Sequence, residues 1–135
     1  MDTVETQLPS TTSSPQLARA FLHSALHTWK LDGFGDVTEL LVTELVANVV
    51  THVGTSMTVR VHRWPGRVRV EIEDPSPEIP VVRHPDAADE HGRGMLLVDQ
   101  LANAWGVDRR ADGKTVWFEL DVSTATAEAH AGHPN

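Results

Sequence analysis

Glu44, Asn48 and His52 stand four residues apart in the run Glu44-Leu45-Val46-Ala47-Asn48-Val49-Val50-Thr51-His52. In a helix, which turns about 100° per residue, all three share one side. Val42, Leu45, Val46, Val49 and Val53 then fall on the opposite arc, as in an amphipathic helix. A carboxamide oxygen is a hard ligand suited to Mg2+, and a carboxylate one turn away can take a proton from a hydroxyl or from water. Two further features follow in the chain. Asp74 closes the alternating run Val68-x-Val70-x-Ile72-x-Asp74, where its carboxylate can accept a hydrogen bond from an exocyclic amine such as that of adenine. Gly92-Arg93-Gly94 immediately precedes an apolar helical pattern. A glycine pair opening a helix admits a ligand close to the backbone and aims free N–H groups at an anion. Together these residues describe a site for a nucleoside triphosphate with Mg2+. Singly, each has an ordinary reading: the polar side of a surface helix, a strand-end turn former, a chance glycine pair. Their order along the chain makes the set specific.

The elements that must position them can be read in turn. Val4 to Leu8 forms one short strand, ended by Pro9. Ser14-Pro15 reads as a cap followed by proline at the first helical position. It opens a helix to about Lys30 with Leu17, Ala18, Phe21, Leu22, Ala25, Leu26 and Trp29 as its apolar stripe. Asp36 caps the second helix, which carries Glu44 and Asn48, and Gly54 stops it. Met57–Trp64 and Arg67–Glu73 alternate around Pro65-Gly66 as a hairpin. Val59, Val61, Val68, Val70 and Ile72 lie on one face of it. Arg60, His62, Arg67, Arg69, Glu71 and Glu73 lie on the other, pairing across strands or meeting a partner. Asp74 to Gly94 is a long, proline-rich, acidic loop, of the kind usually reserved for function. A third helix buries Met95, Leu96, Leu97, Val98, Leu101 and Ala102, and a second hairpin joins Ala104–Asp108 to Thr115–Val122.

Composition narrows the function classes. A chain of 135 residues makes one domain with a hydrophobic core. Cysteine is absent, which removes thiolate metal sites, disulfides and thiol nucleophiles. A net charge of -8 disfavours phosphate-mediated contact with nucleic acid and suits a basic protein partner or a small anion held by backbone donors. No apolar run approaches the roughly 20 residues that span a bilayer, and Met1–Ser14 lacks the apolar centre of a signal peptide. A cytoplasmic location is expected. His23 and His27 share a helix edge at metal-clip spacing, but no third ligand accompanies them.

The runs Glu44-Leu-Val-x-Asn48-x-Val-x-His52, Val70-x-Ile-x-Asp74, His91-Gly-Arg-Gly-Met-x-Leu-Val98 and Gly113-Lys-Thr-Val-Trp-Phe118 resemble a GHKL (Bergerat-fold) ATP-binding domain. They come nearest to the stand-alone bacterial anti-sigma-factor serine/threonine kinases. The resemblance covers about Leu8 to Val122. It implies an α/β two-layer sandwich (α+β in its segregation of elements), with three helices on one face of a mixed, mostly antiparallel sheet and a flexible ATP lid. The domain would occupy residues 15–122, between a flexible segment 1–14 with its short strand and a disordered tail 123–135. Position by position, the resemblance makes Glu44 the catalytic base, Asn48 the Mg2+ ligand and Asp74 the adenine-binding carboxylate. Gly92, Arg93 and Gly94 become the phosphate-binding turn, and Thr115 the late threonine near adenine. It assigns His52 no role. It also implies ATP and Mg2+ as cofactors, a sigma factor and an anti-anti-sigma protein as partners, and a homodimer. The chain departs from the family at Asp74-Pro75-Ser76-Pro77-Glu78, where the family carries Gly-x-Gly spacing. Proline lacks an N–H and fixes φ, so the loop is stiffer here and offers fewer backbone contacts.

Two readings follow. One is an ATP-dependent serine/threonine kinase that also sequesters a sigma factor. The other is a non-catalytic, nucleotide-gated module that regulates transcription by holding a partner. They part at Glu44, which only the first requires. A metal-dependent hydrolase built on His23, His27, His84 or His91 lacks HExxH-like spacing and leaves Gly92-x-Gly94 unexplained.

Overall fold

The computed structural model describes residues 1–78 and 93–123, with residues 93 and 94 as backbone only. The expected lid with Asp86, Asp89 and Glu90, residues His84, His91 and Gly92, and the tail from 124 onward lie outside the described residues. In chain order the elements are β1 (Asp2–Leu8), α1 (Ser14–Thr28), a 3-10 turn (Asp32–Phe34), α2 (Gly35–His52), β2 (Met57–Trp64), β3 (Arg67–Asp74), α3 (Arg93–Leu101), β4 (Ala104–Arg110) and β5 (Gly113–Asp121).

The strands make one five-stranded sheet in the order β1-β2-β3-β5-β4. The resemblance implied a mixed, mostly antiparallel sheet; all four pairings are antiparallel. Register aligns apolar residues across the whole width in one row and across β2 to β4 in the next. One row runs Val4–Val61–Val70–Phe118–Trp105, and the next Thr6–Val59–Ile72–Val116–Val107. Because strand side chains alternate in direction, these rows share one face. Val59, Val61, Val70, Ile72 and Phe118 are buried there beneath Ala18, Leu22 and Leu26 of α1, Leu41, Val42 and Val46 of α2, and Met95 and Val98 of α3, all in one core cluster. The fold is thus a two-layer α+β sandwich with three helices.

Local chemistry sets the element ends. Buried Ser14 ties down the α1 entry: its Oγ accepts from the Thr11 N–H at 3.1 Å and donates to the Pro9 carbonyl. Asp36, expected as the α2 cap, lies inside the first turn, and Phe34 occupies the cap position without a side-chain bond. The preceding 3-10 turn runs straight into the helix, so no separate capping group is used; a carboxylate in a first turn still favours the helix dipole. Gly54 closes α2 at φ 75°, with its N–H on the Val49 carbonyl. Gly66 takes φ 81° in the β2–β3 turn. Two expected core residues face outward, Leu17 and Leu101, at 47% and 43% exposure. Leu17 lies about 100° around α1 from Ala18, outside the buried arc, and Leu101 ends α3.

Candidate functional site

Helix α2 is the central helix of its layer, packed against α1 on one side and α3 on the other. Its flanks can be assigned by rotation. Glu39 faces α1, where it accepts from Arg19 Nε and meets His23 Nδ1, both at 3.1 Å. Leu41, Val42, Leu45, Val46 and Val49 face the core. At about 100° per residue, Glu44 and Asn48 lie roughly 140–180° from Glu39. They therefore stand on the flank turned away from α1, toward α3, and both are half-buried. His52 is exposed in the last turn, where a basic group suits the helix dipole.

The end of the central strand, β3, holds Asp74. Its position at the end of β3 follows from alternation: Val68, Val70, Ile72 and Asp74 all face the helices and are all buried. A carboxylate on a buried face needs partners. Asp74 pairs in register with Lys114 of β5, and Lys114 Nζ donates to Asp74 Oδ1 at 2.9 Å with both side chains nearly sealed from solvent. The Ser76 N–H turns back onto the same oxygen at 2.7 Å, while Lys114 Nζ also donates to the Ser76 carbonyl at 3.2 Å. The Pro75 and Pro77 loop is thereby pinned, and the Glu78 N–H adds a bond to Ser76 Oγ at 3.1 Å. Asp74 Oδ2, by contrast, is buried with no hydrogen-bond partner among the described residues. Leaving a buried acceptor unmet costs about 1–3 kcal/mol, so Oδ2 is poised for a donor. That chemistry fits the exocyclic amine of an adenine.

Register separates one expected site residue from Asp74 and brings another to it. Thr115 pairs with Glu73 and Asp108 and so points to the face opposite Asp74. The Asp74 neighbour on β5 is Lys114. A signal for it exists in the sequence: Val116, Phe118 and Leu120 define the buried face of β5, and stepping back by two places a lysine on it. Gly113 takes φ 147°, and a Cβ there would lie 2.1 Å from the Asp74 carbonyl oxygen. The glycine of Gly113-Lys114-Thr115 thus allows β5 to close against the Asp74 backbone.

Arg93 and Gly94 open α3, whose first N–H groups have no intrahelical partner and can face an anion; Gly92 lies outside the described residues. Among the described residues, no group of three or more His, Asp or Glu is placed to hold a metal ion. A cation here would draw on Asn48, ligand oxygens and water. His23 and His27 are exposed and turn to separate carboxylates, Glu39 and Asp32, the latter at 2.9 Å.

The outer face of the sheet is a web of ion pairs. Arg60 bridges Glu5 and Glu73 at 2.9 and 2.7 Å, Arg69 bridges Glu71 and Glu119 at 2.9 and 3.1 Å, and His62 Nε2 meets Glu71 at 3.0 Å. The hydrogen bond from Arg60 holds the Glu73 carboxyl below its usual range. Burial would push Glu71 up, but His62 and Arg69 together bring it down. The Arg69 guanidinium also stacks 4.1 Å from the Trp117 ring centroid. Of the two expectations for this face, cross-strand pairing is what the described residues display.

A family model for the histidine kinase-like ATPase domain matches residues 8–120. An uncharacterized protein of Streptomyces coelicolor is 40% identical over 100 residues, which is 65% of this chain and 95% of the relative. Among solved structures, the RsbU and RsbW domains of a Mycobacterium tuberculosis protein superpose with a TM-score of 0.69 at 18% identity, covering 90% of this chain and 33% of that one. The histidine kinase domain of a blue-light-activated kinase from Erythrobacter litoralis gives 0.52 at 19% identity, covering 89% and 67%. The chain spans about a third of the length of the Mycobacterium structure, and at these identities the likeness is one of fold. No helix among the described residues is long and apolar enough to cross a membrane. With nearly all of its described elements inside the matched span, the chain belongs to the histidine kinase-like ATPase domain family.

Proposed function

We propose that this chain is an ATP- and Mg2+-dependent serine/threonine kinase of an anti-anti-sigma-type protein, and that it also sequesters a sigma factor as a cytoplasmic homodimer. The observation that carries the nucleotide part is the buried Oδ2 of Asp74, unpartnered among the described residues, which suits the adenine amine. The fold shared with an RsbW domain supports the choice of partners. In this reading Asn48 holds Mg2+ together with phosphate oxygens, and the first N–H groups of α3, beginning with those of Arg93 and Gly94, hold the phosphates. Bound Mg2+ supplies charge neutralisation on those oxygens. Glu44, one turn before Asn48, accepts the proton of the partner's serine or threonine hydroxyl.

The second reading, a nucleotide-gated binding module without phosphotransfer, is favoured by the Pro75-Ser76-Pro77 loop. Pro75 has no N–H to offer a ligand, and the Ser76 N–H is spent on Asp74. Calorimetry with ATP and ADP, with and without Mg2+, tests what the two readings share. Asn48→Ala is expected to weaken Mg2+-dependent ATP binding by about 10–100-fold, in the range seen when a metal site loses an essential partner, whereas His23→Ala leaves it unchanged. Equal affinity of wild type and Asn48→Ala with Mg2+ present would remove the metal role. Phosphotransfer to a sigma-pathway protein encoded beside this chain then separates the readings. Glu44→Ala is expected to slow transfer at least about 10²-fold while sparing ATP binding. A wild-type protein that transfers no phosphate leaves the binding module standing.

A further inference from the structure

We propose that Lys114 is the positioning residue that sets base selectivity at Asp74, making its carboxylate accept adenine and reject guanine. The inference rests on the nucleotide reading above and extends it to a residue outside the expected site. A carboxylate offers about four lone-pair positions, two on each oxygen. Both positions on Oδ1 are taken, by Lys114 Nζ at 2.9 Å and the Ser76 N–H at 2.7 Å. Both on Oδ2 are without a partner among the described residues. Asp74 therefore presents one accepting oxygen, and it cannot turn to present two. Lys114 is itself locked, since it is buried and also donates to the Ser76 carbonyl at 3.2 Å.

A single accepting oxygen matches adenine, whose 6-amine donates alone on that edge. Guanine carries an oxygen acceptor at the same place, which would face Oδ2 lone pair to lone pair. Its adjacent N1–H and N2–H donors suit a carboxylate with both oxygens free, the fork-like pairing that bidentate recognition requires. Removing the Lys114 ammonium frees one of the two positions on Oδ1, the Ser76 N–H keeping the other, and one position on each oxygen is what that pairing needs. A methionine at this position keeps the length and apolar stem of the side chain without the donor.

The test is calorimetric affinity for ATP and GTP, with Mg2+, in wild type and Lys114→Met. Wild type is expected to prefer ATP by at least about tenfold, a discrimination that one mismatched buried polar contact supplies. In Lys114→Met the preference is expected to shrink to within about threefold, chiefly through a gain in GTP affinity. A merely structural role would weaken both nucleotides alike and leave the ratio unchanged, and that result overturns the proposal. Because the chain has only two lysines, Lys30 and Lys114, a second measurement needs no variant. With 13C-labelled lysine, ATP is expected to shift the Lys114 side-chain signal and GTP at equal concentration is not. A Lys114 signal that ignores ATP, or answers both nucleotides equally, also overturns the proposal. Wild type that binds neither nucleotide removes the nucleotide reading itself, and this inference with it.

Discussion

Gly113→Ala is expected to abolish cooperative unfolding near the wild-type melting temperature, leaving a chain that is largely unfolded or far less stable in urea. The cause is a close approach of two backbones. A Cβ at residue 113 would lie 2.1 Å from the Asp74 carbonyl oxygen and 2.7 Å from Pro75 Cα. Both obstacles are main-chain atoms at the end of β3, one of them in a proline, so neither can swing aside as a flexible side chain would. The native φ of 147° adds strain of about 1–3 kcal/mol for a residue with a side chain, and overpacking contributes a further 1–3 kcal/mol. Relief requires β3 and β5 to part where Asp74 meets Lys114, which loosens the buried ion pair as well. Against a total stability of about 5–15 kcal/mol for a domain, this is a severe loss. Gly33→Ala is the control: an added Cβ there meets nothing within 4 Å, and it is expected to melt like wild type. A Gly113→Ala protein with unchanged urea midpoint would mean that the strand ends are not held as described.

The contrast between these glycines bears on what the sequence could and could not reveal. Alternation placed Val68, Val70, Ile72 and Asp74 on one face, because the period of a strand is fixed by backbone geometry. Helical period placed Glu44 and Asn48 together for the same reason. Both features depend only on local structure, and both are seen in the fold. Lys114 and Thr115 were harder. Alternation back from Val116, Phe118 and Leu120 settles the face of each, but which β5 residue lies opposite Asp74 is decided by the register of β5 against β3, a long-range pairing across a 38-residue gap that no local pattern encodes. Leu17 and Leu101 failed for a related reason: apolar type sets a tendency to be covered, but coverage depends on which neighbour reaches that flank. The loop bonds around Ser76 also arise from the fold, since two prolines predict stiffness without predicting that Asp74 would be the acceptor.

The ion pair itself supplies the other large effect. Lys114→Met is expected to cost about 3–5 kcal/mol of folding stability, the usual penalty for stranding one buried charge, and Asp74→Leu a similar amount. The double variant is expected to recover most of both losses, because a buried pair replaced by apolar groups of similar size is often neutral. Recovery should stop short of complete. The Ser76 N–H, which donates to Asp74 Oδ1, and the Ser76 carbonyl, which accepts from Lys114, both lose their partners; Ser76 is half-buried, so water meets part of the need and each costs at most about 1–3 kcal/mol. Urea unfolding of wild type, the two single variants and the double variant closes the cycle. Additive losses, with no coupling between the two positions, would show that the 2.9 Å contact contributes nothing to the native state. The double variant also separates folding from recognition. It retains the fold and lacks the only carboxylate on the buried face of β3, so it should fold well and no longer discriminate adenine. Stability restored together with ATP selectivity would place base recognition elsewhere than Asp74.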